Sequence, residues 1–111
     1  MQDVPLTTTS LLRRSEQYFA GKRIVTRTVG GLQRSTYGEF ADRTRRLATA
    51  LDELGLAPDA RVATFAWNTQ RHMELYFAAP GTGRILHTLN IRLFPEQLRY
   101  IIEHAQDEIV F

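Results

Sequence analysis

The sequence predicts an α/β fold: an N-terminal β-hairpin plus a capped helix, then a βαβαβ unit forming a partial parallel sheet. Three observations carry this expectation. From residue 61 onward, short apolar runs alternate with helical patterns across short connections, which implies right-handed crossovers and parallel strands. Ahead of them, two β-prone runs flank Gly30-Gly31. Between these regions, Thr36-Tyr37-Gly38-Glu39 has the form of a capping box opening a long apolar-periodic stretch.

The elements follow in order. A helix is expected from about Leu11 to Phe19, capped by Thr9 or Ser10, with Leu11, Leu12, Tyr18 and Phe19 as its apolar face and Gly21 as its end. Ile24 to Thr36 reads as a hairpin, its Gly30-Gly31 pair supplying the positive φ angles of a tight turn. Phe40, Thr44, Leu47, Leu51 and Leu54 then recur at helical spacing until Gly55. Arg61 to Trp67 is a strand. Asn68 or Thr69 caps a helix carrying Met73, Tyr76 and Phe77, with Pro80 kinking or ending it near Gly81 and Gly83. Arg84 to Leu89 is the next strand, and Pro95 opens a helix with Leu98, Ile101, Ile102 and Ala105 inward. Glu108 to Phe111 starts a third strand with no turn after it, so the sheet reads as cut off. Residues 1–111 are expected to form a single partial domain, with 1–20 as an N-terminal segment bearing the short helix.

Composition narrows the function classes. The chain has 111 residues, 43% hydrophobic and 23% charged, as in ordinary soluble domains. Fourteen basic against twelve acidic residues give a net charge of +2, and Lys22 is the only lysine. Arg13, Arg14, Arg43, Arg45, Arg46 and Arg99 are interspersed with Glu16, Asp42, Asp52, Glu53 and Glu96, the pattern of solvated helix faces and not of a nucleic-acid stripe. No nucleic-acid partner is expected. With no cysteine there is no disulfide, thiolate zinc site or thiol nucleophile. No run approaches the ~18 apolar residues of a membrane span. Met1 to Ser10 lacks the apolar core of a secretory signal, and Thr7 to Arg14 reads as a capped helix more than a transit peptide. A cytoplasmic protein is expected.

Candidate chemical groups are few. His72-Met73-Glu74 has the H-x-E form of zinc deaminases but lacks their cysteine pair, and no second histidine lies four residues from His72. His87 in a strand and His104 near a helix end read as structural. Gly81-Thr82-Gly83-Arg84 closes a helix and leads into a strand, the reverse of a phosphate loop. Ser10, Ser15 and Ser35 have no nucleophile-elbow context. Asn90 and Arg92 follow the carboxyl end of a parallel strand, where open sheets tend to bind ligands, and are polar groups able to line a cleft there. No catalytic, cofactor-binding or metal-binding residue is assigned.

The stretch Ala66-Trp67-Asn68-Thr69-Gln70-Arg71-His72-Met73-Glu74-Leu75-Tyr76-Phe77-Ala78, with Leu86 to Asn90 and Arg92-Leu93-Phe94-Pro95-Glu96-Gln97, resembles the beginning of the adenylate-forming, AMP-binding superfamily. The similarity is to its medium- and long-chain fatty-acid–CoA ligases (acyl-CoA synthetases). Thr36 to Ala41, Leu54 to Leu56 and Asp59 to Ala63 fit the same family, so the resemblance runs from about Phe19 to Phe111. Arg84 stands where the family usually has a small residue, and Ile91 where it usually has proline; both departures fit relaxed selection. An arginine at a strand start can snorkel outward, so it need not disrupt the sheet.

The resemblance implies a two-step reaction, in which a carboxylic acid and ATP give an acyl-adenylate and CoA then displaces AMP. It implies ATP, Mg and CoA as cofactors of the complete enzyme and none for this chain. The family's phosphate loop, its magnesium glutamate, its ribose aspartate and its C-terminal lysine have no counterpart here, so the chain alone is expected to be inactive. The alternative is a non-catalytic interaction module, pairing through its sheet edge with a full-length ligase or with itself. With one sheet face and an edge uncovered, the chain is expected to be poorly soluble or molten by itself.

Overall fold

A computed structural model describes residues 3–111; Met1 and Gln2, which begin the stretch read above as lacking a signal core, lie outside the described residues. The first helix, α1 (Thr8–Phe19), starts where Thr7, in extended backbone, accepts a hydrogen bond from the Ser10 amide at 3.3 Å. Thr9 and Ser10, the expected caps, lie inside it, because the helix adds a polar first turn ahead of its apolar pattern. Only Leu12 of its expected apolar face is buried. Leu11, Tyr18 and Phe19 remain exposed, since α1 enters the core through Leu12 alone.

The hairpin pairs β1 (Arg23–Thr28) with β2 (Gly31–Thr36), and Thr28 stands opposite Gly31. The turn residues are therefore Val29 and Gly30, not Gly30-Gly31. Neither takes positive φ; Gly31 does, at +113°. A turn with ordinary φ angles followed by a glycine in the left-handed half of the map restores strand pairing just as a Gly-Gly turn would.

Strand β2 runs directly into α2 (Tyr37–Glu53) through the expected capping box. The Glu39 amide donates to Thr36 Oγ1 at 3.2 Å, and the Thr36 amide donates to Glu39 Oε2 at 2.9 Å. Phe40, Ala41, Thr44 and Leu51 are buried, as their spacing requires. Leu54 is not: the helix ends at Glu53, Gly55 turns the chain with φ +71°, and Leu54 falls outside the stripe, 56% exposed.

Three short strands, β3 (Arg61–Thr64), β4 (Ile85–Thr88) and β5 (Ile109–Val110), form a parallel sheet in the order β4-β3-β5. Each is shorter than the apolar run that predicts it. Val62, Ala63 and Thr64 are all buried, so the central strand shows no alternation, as expected of a strand covered on both sides. Between β3 and β4 runs α3 (Gln70–Gly81), capped by Thr69, whose oxygen accepts from the His72 amide at 3.4 Å. Pro80 lies inside its last turn, and the helix ends one residue later at Gly81. Gly83 takes φ +81°, and a Cβ there would stand 3.3 Å from the Pro58 carbonyl oxygen, so both conformation and space favour glycine. Between β4 and β5 runs α4 (Pro95–Ala105), opened by Pro95 and closed by Gln106 in the left-handed region.

Two clusters hold these elements together. Leu51, Val62, Leu75, Ala78 and Ala79 join α2 and α3 to the sheet. Leu12, Phe40 and Ala41, with Ile24, Met73 and Phe77 against them, join α1, the hairpin, α2 and α3. Helix α3 thus serves both clusters from different faces, which is why Met73 and Phe77 are half-buried and Leu75 is buried, while Tyr76 lies between and is exposed. Helix α4 belongs to neither. Leu98, Ile101, Ile102 and Ala105 are half-buried, not core residues as expected, because no described element packs over that helix.

Arg84 corrects another expectation. It does not snorkel outward; it is 6% exposed, with Nη1 donating to Asp52 Oδ1 at 2.7 Å and Nη2 to the Leu56 carbonyl at 2.9 Å. The end of α2 and the loop after it supply acceptors for both terminal nitrogens where the strand begins, while Nε is buried without a hydrogen-bond partner.

Candidate functional site

His72 and Glu74 both lie near the start of α3 and both are buried, but they do not converge. Two residues apart on a helix, side chains point roughly 200° away from each other. His72 Nε2 lies 2.8 Å from Thr64 Oγ1, and its ring tilts against Tyr76 at 5.0 Å. On the other side, Glu74 Oε1 accepts from Arg43 Nε at 2.8 Å and from Arg71 Nη1 at 3.0 Å. The H-x-E pattern is therefore two structural roles side by side.

The other candidates are separated as well. His87 on β4 has its Nδ1 2.9 Å from both oxygens of Asp107, whose side chain is fully buried. That pairing joins β4 to the turn before β5. His104 stacks on Tyr100 with centroids 5.5 Å apart, in the last turn of α4. Ser10 and Ser15 donate to the carbonyls of Thr7 and Leu12, and Ser35 sits across the hairpin from Ile24. Gly81 and Gly83 close α3, as expected. Asn90 and Arg92 are both exposed, and Asn90 Oδ1 accepts from the Arg92 amide at 2.9 Å, so this pair shapes its own turn and not a cleft. Among the described residues, no group of three or more His, Cys, Asp or Glu is placed to hold a metal ion.

What the fold does assemble is a polar cleft of about 590 Å³ between β2, α2 and α3. Its floor is Glu74 with the two guanidiniums it holds; the Asp42–Arg46 ion pair and Glu39 of the capping box lie on its α2 wall. A second ion pair, Glu16 with Arg45, ties α1 to α2 by two parallel N–H···O bonds. The Arg45 hydrogen bond holds the Glu16 carboxyl below the usual carboxylate range, and the same bond raises Arg45. Guanidiniums donate hydrogen bonds and carry charge, but they do not take up protons near neutral pH. The cleft is therefore lined by groups suited to binding an anion.

Sequence reasoning missed the ion pairs that define this cleft. Arg43 is expected on a solvated helix face, whereas Glu74 gathers it together with Arg71, to which no role is assigned from sequence. The available signal was an acid at a position flanked by Leu75 and Ala78, which any helix packed on two sides must bury and therefore pair.

Comparison with known proteins agrees along nearly the whole chain. The family described as AMP-binding enzyme matches residues 12–111. A 3-methylmercaptopropionyl-CoA ligase of Ruegeria lacuscaerulensis is 47% identical over 112 aligned positions, which cover 100% of this chain and 21% of that protein. A medium-chain-fatty-acid–CoA ligase of Ectopseudomonas oleovorans is 44% identical, covering 91% of this chain and 19% of its own. Among solved structures, a benzoate CoA ligase from Burkholderia xenovorans superposes with a TM-score of 0.83 at 27% identity, over 96% of this chain and 21% of the other. The N-terminal domain of FACL13 from Mycobacterium tuberculosis gives 0.86 at 22% identity, over 96% of this chain and 27% of that one, a likeness of fold. This chain spans about a fifth of the length of the curated relatives it matches.

Proposed function

We propose, from the premise that this chain belongs to the AMP-binding enzyme family, that it is the N-terminal portion of a fatty-acid–CoA ligase and is catalytically inactive by itself. One observation carries the reading: relatives between 42% and 47% identical across at least 91% of the chain are CoA ligases of small and fatty acids. Gly81 and Gly83 close a helix, the reverse of the order in a phosphate loop. In the complete enzyme the reaction would use ATP, Mg and CoA to make an acyl-adenylate and then a thioester; this chain alone would take none of them. No helix among the described residues is long and apolar enough to cross a membrane.

Two measurements test this. Grafted in place of the first fifth of the Ruegeria ligase, the chain should support thioester formation within about tenfold of the parent, a loss of no more than about 1.4 kcal/mol. A folded but inactive chimaera would sink the ligase assignment. Purified alone, the chain should give no ATP–pyrophosphate exchange with any fatty acid, and measurable exchange would refute inactivity.

A second reading has its own observation. Phe94, the residue before α4, and Tyr100 on it stand 72% and 66% exposed, and the outer edges of β4 and β5 carry no described strand. Such edges pair readily with another chain. If the protein serves as an interaction module, it should self-associate or co-purify with a full-length ligase; a monomer that binds neither excludes this.

A further inference from the structure

The cleft between β2, α2 and α3 plays no part in the ligase reading, yet its charges are unequally used. Arg34, Arg43, Arg46 and Arg71 face three carboxylates across about 590 Å³. Every carboxylate is already engaged: Glu39 accepts the Thr36 amide, Asp42 holds Arg46, and Glu74 accepts from both Arg43 and Arg71. The guanidiniums are engaged only in part. Glu74 takes one N–H from each of its two arginines, and no other side chain among the described residues bonds either of them. Arg34 has no ion pair at all among the described residues.

Glu74 is the feature that turns exposed arginines into a site. Its side chain is 6% exposed, whereas those of Arg43 and Arg71 are 44% and 57% exposed. A buried carboxylate anchors one edge of each guanidinium, and the remaining N–H groups line the cleft at little further cost in side-chain freedom. We infer that this cleft binds a phosphate-bearing anion. A phosphate offers three or more acceptor oxygens and up to two negative charges, enough to meet several guanidiniums at once, whereas a carboxylate offers two oxygens to a single fork. The volume falls in the range of about 300–1,000 Å³ typical of small-ligand sites, larger than one phosphate needs. A diphosphate and a nucleotide share the chemistry that would be recognised.

The test is a titration of the ¹⁵N-labelled chain with inorganic pyrophosphate and, separately, with AMP, following the amides of Gln33, Arg34, Gln70 and Arg71. At low ionic strength at least one ligand should give saturable shifts at these positions, weakening as salt screens the exposed charges. Arg34→Gln should weaken binding about fivefold, the effect of one exposed charge pair, and Asp42→Asn, which frees Arg46, should tighten it. Arg13→Gln, on α1 outside the cleft, should leave it unchanged. Stronger binding of AMP would assign a nucleotide, and stronger binding of pyrophosphate a free phosphate. Absence of saturable shifts with both ligands, or equal weakening by Arg13→Gln and Arg34→Gln, would overturn the site.

Discussion

Helices α3 and α4 occupy equivalent places in the chain, each connecting one parallel strand to the next, and they end in opposite circumstances. Helix α3 buries His72, Glu74, Leu75, Ala78 and Ala79. Helix α4, with the clearer apolar stripe, buries nothing completely. Amphipathic patterning therefore states which face of a helix will seek a partner, not that a partner is there. Burial in α3 comes from having α2 on one side and the sheet on the other, and that double packing forces even a glutamate and a histidine inside.

The contrast can be broken most directly in the core. Leu75→Ala removes a side chain packed against Leu51 and Val62 and should destabilise the chain by about 2–5 kcal/mol in urea unfolding. A smaller loss would mean that α3 is as loosely held as α4. Glu74→Ala should cost about 1–3 kcal/mol, because it strips a buried acceptor from Arg43 and Arg71 while leaving both free to turn toward water. Ile102→Ala on α4 should cost about 1 kcal/mol or less, given its half-exposed position. Hydrogen exchange sharpens the same point: α4 amides should exchange well before those of α3, since local opening there exposes little new apolar surface.

The smallest effect concerns the tie between α1 and α2. The Arg45 hydrogen bond lowers Glu16, so its contribution is present above the ordinary carboxylate range and is lost as pH falls through the depressed value. Glu16→Gln should lower stability slightly at neutral pH and not at all in strong acid, which flattens the acid limb. An unaltered acid limb would show the pair to be idle.

These expectations also refine what composition suggested about the isolated chain. A uniformly molten state follows if every element lacks cover, but the deficit is concentrated in α4 and the sheet edges. Fraying there with a retained α1–α3 core is the outcome the packing favours, and non-coincident unfolding of the two helices would display it.

Much of this architecture was legible beforehand because its signals are local. The Thr36–Glu39 box, Gly55, Thr69 and Pro95 each act within four residues, and each does what its chemistry dictates. The misreadings share a different cause. Arg84, at a strand start, can reach outward on local grounds alone; the acceptors that hold it inside are 28 and 32 residues away. Glu74 and Arg43, 31 residues apart, form the floor of the cleft for the same reason. Leu11, Tyr18 and Leu98 have the right spacing, but spacing does not say how much of the rest of the molecule comes to meet them.

Arg84 also bears on the order in which the chain is assembled. Its guanidinium closes a loop back to Asp52 and Leu56 from the first residues of β4, so the contact forms only after α2, β3 and α3 have been brought together. Loop closure of that length is entropically costly before the intervening elements are in place. A bond formed so late should act as a latch: Arg84→Ala is expected to leave the folding rate largely unchanged and to speed unfolding, since the contact helps hold β4 beside β3.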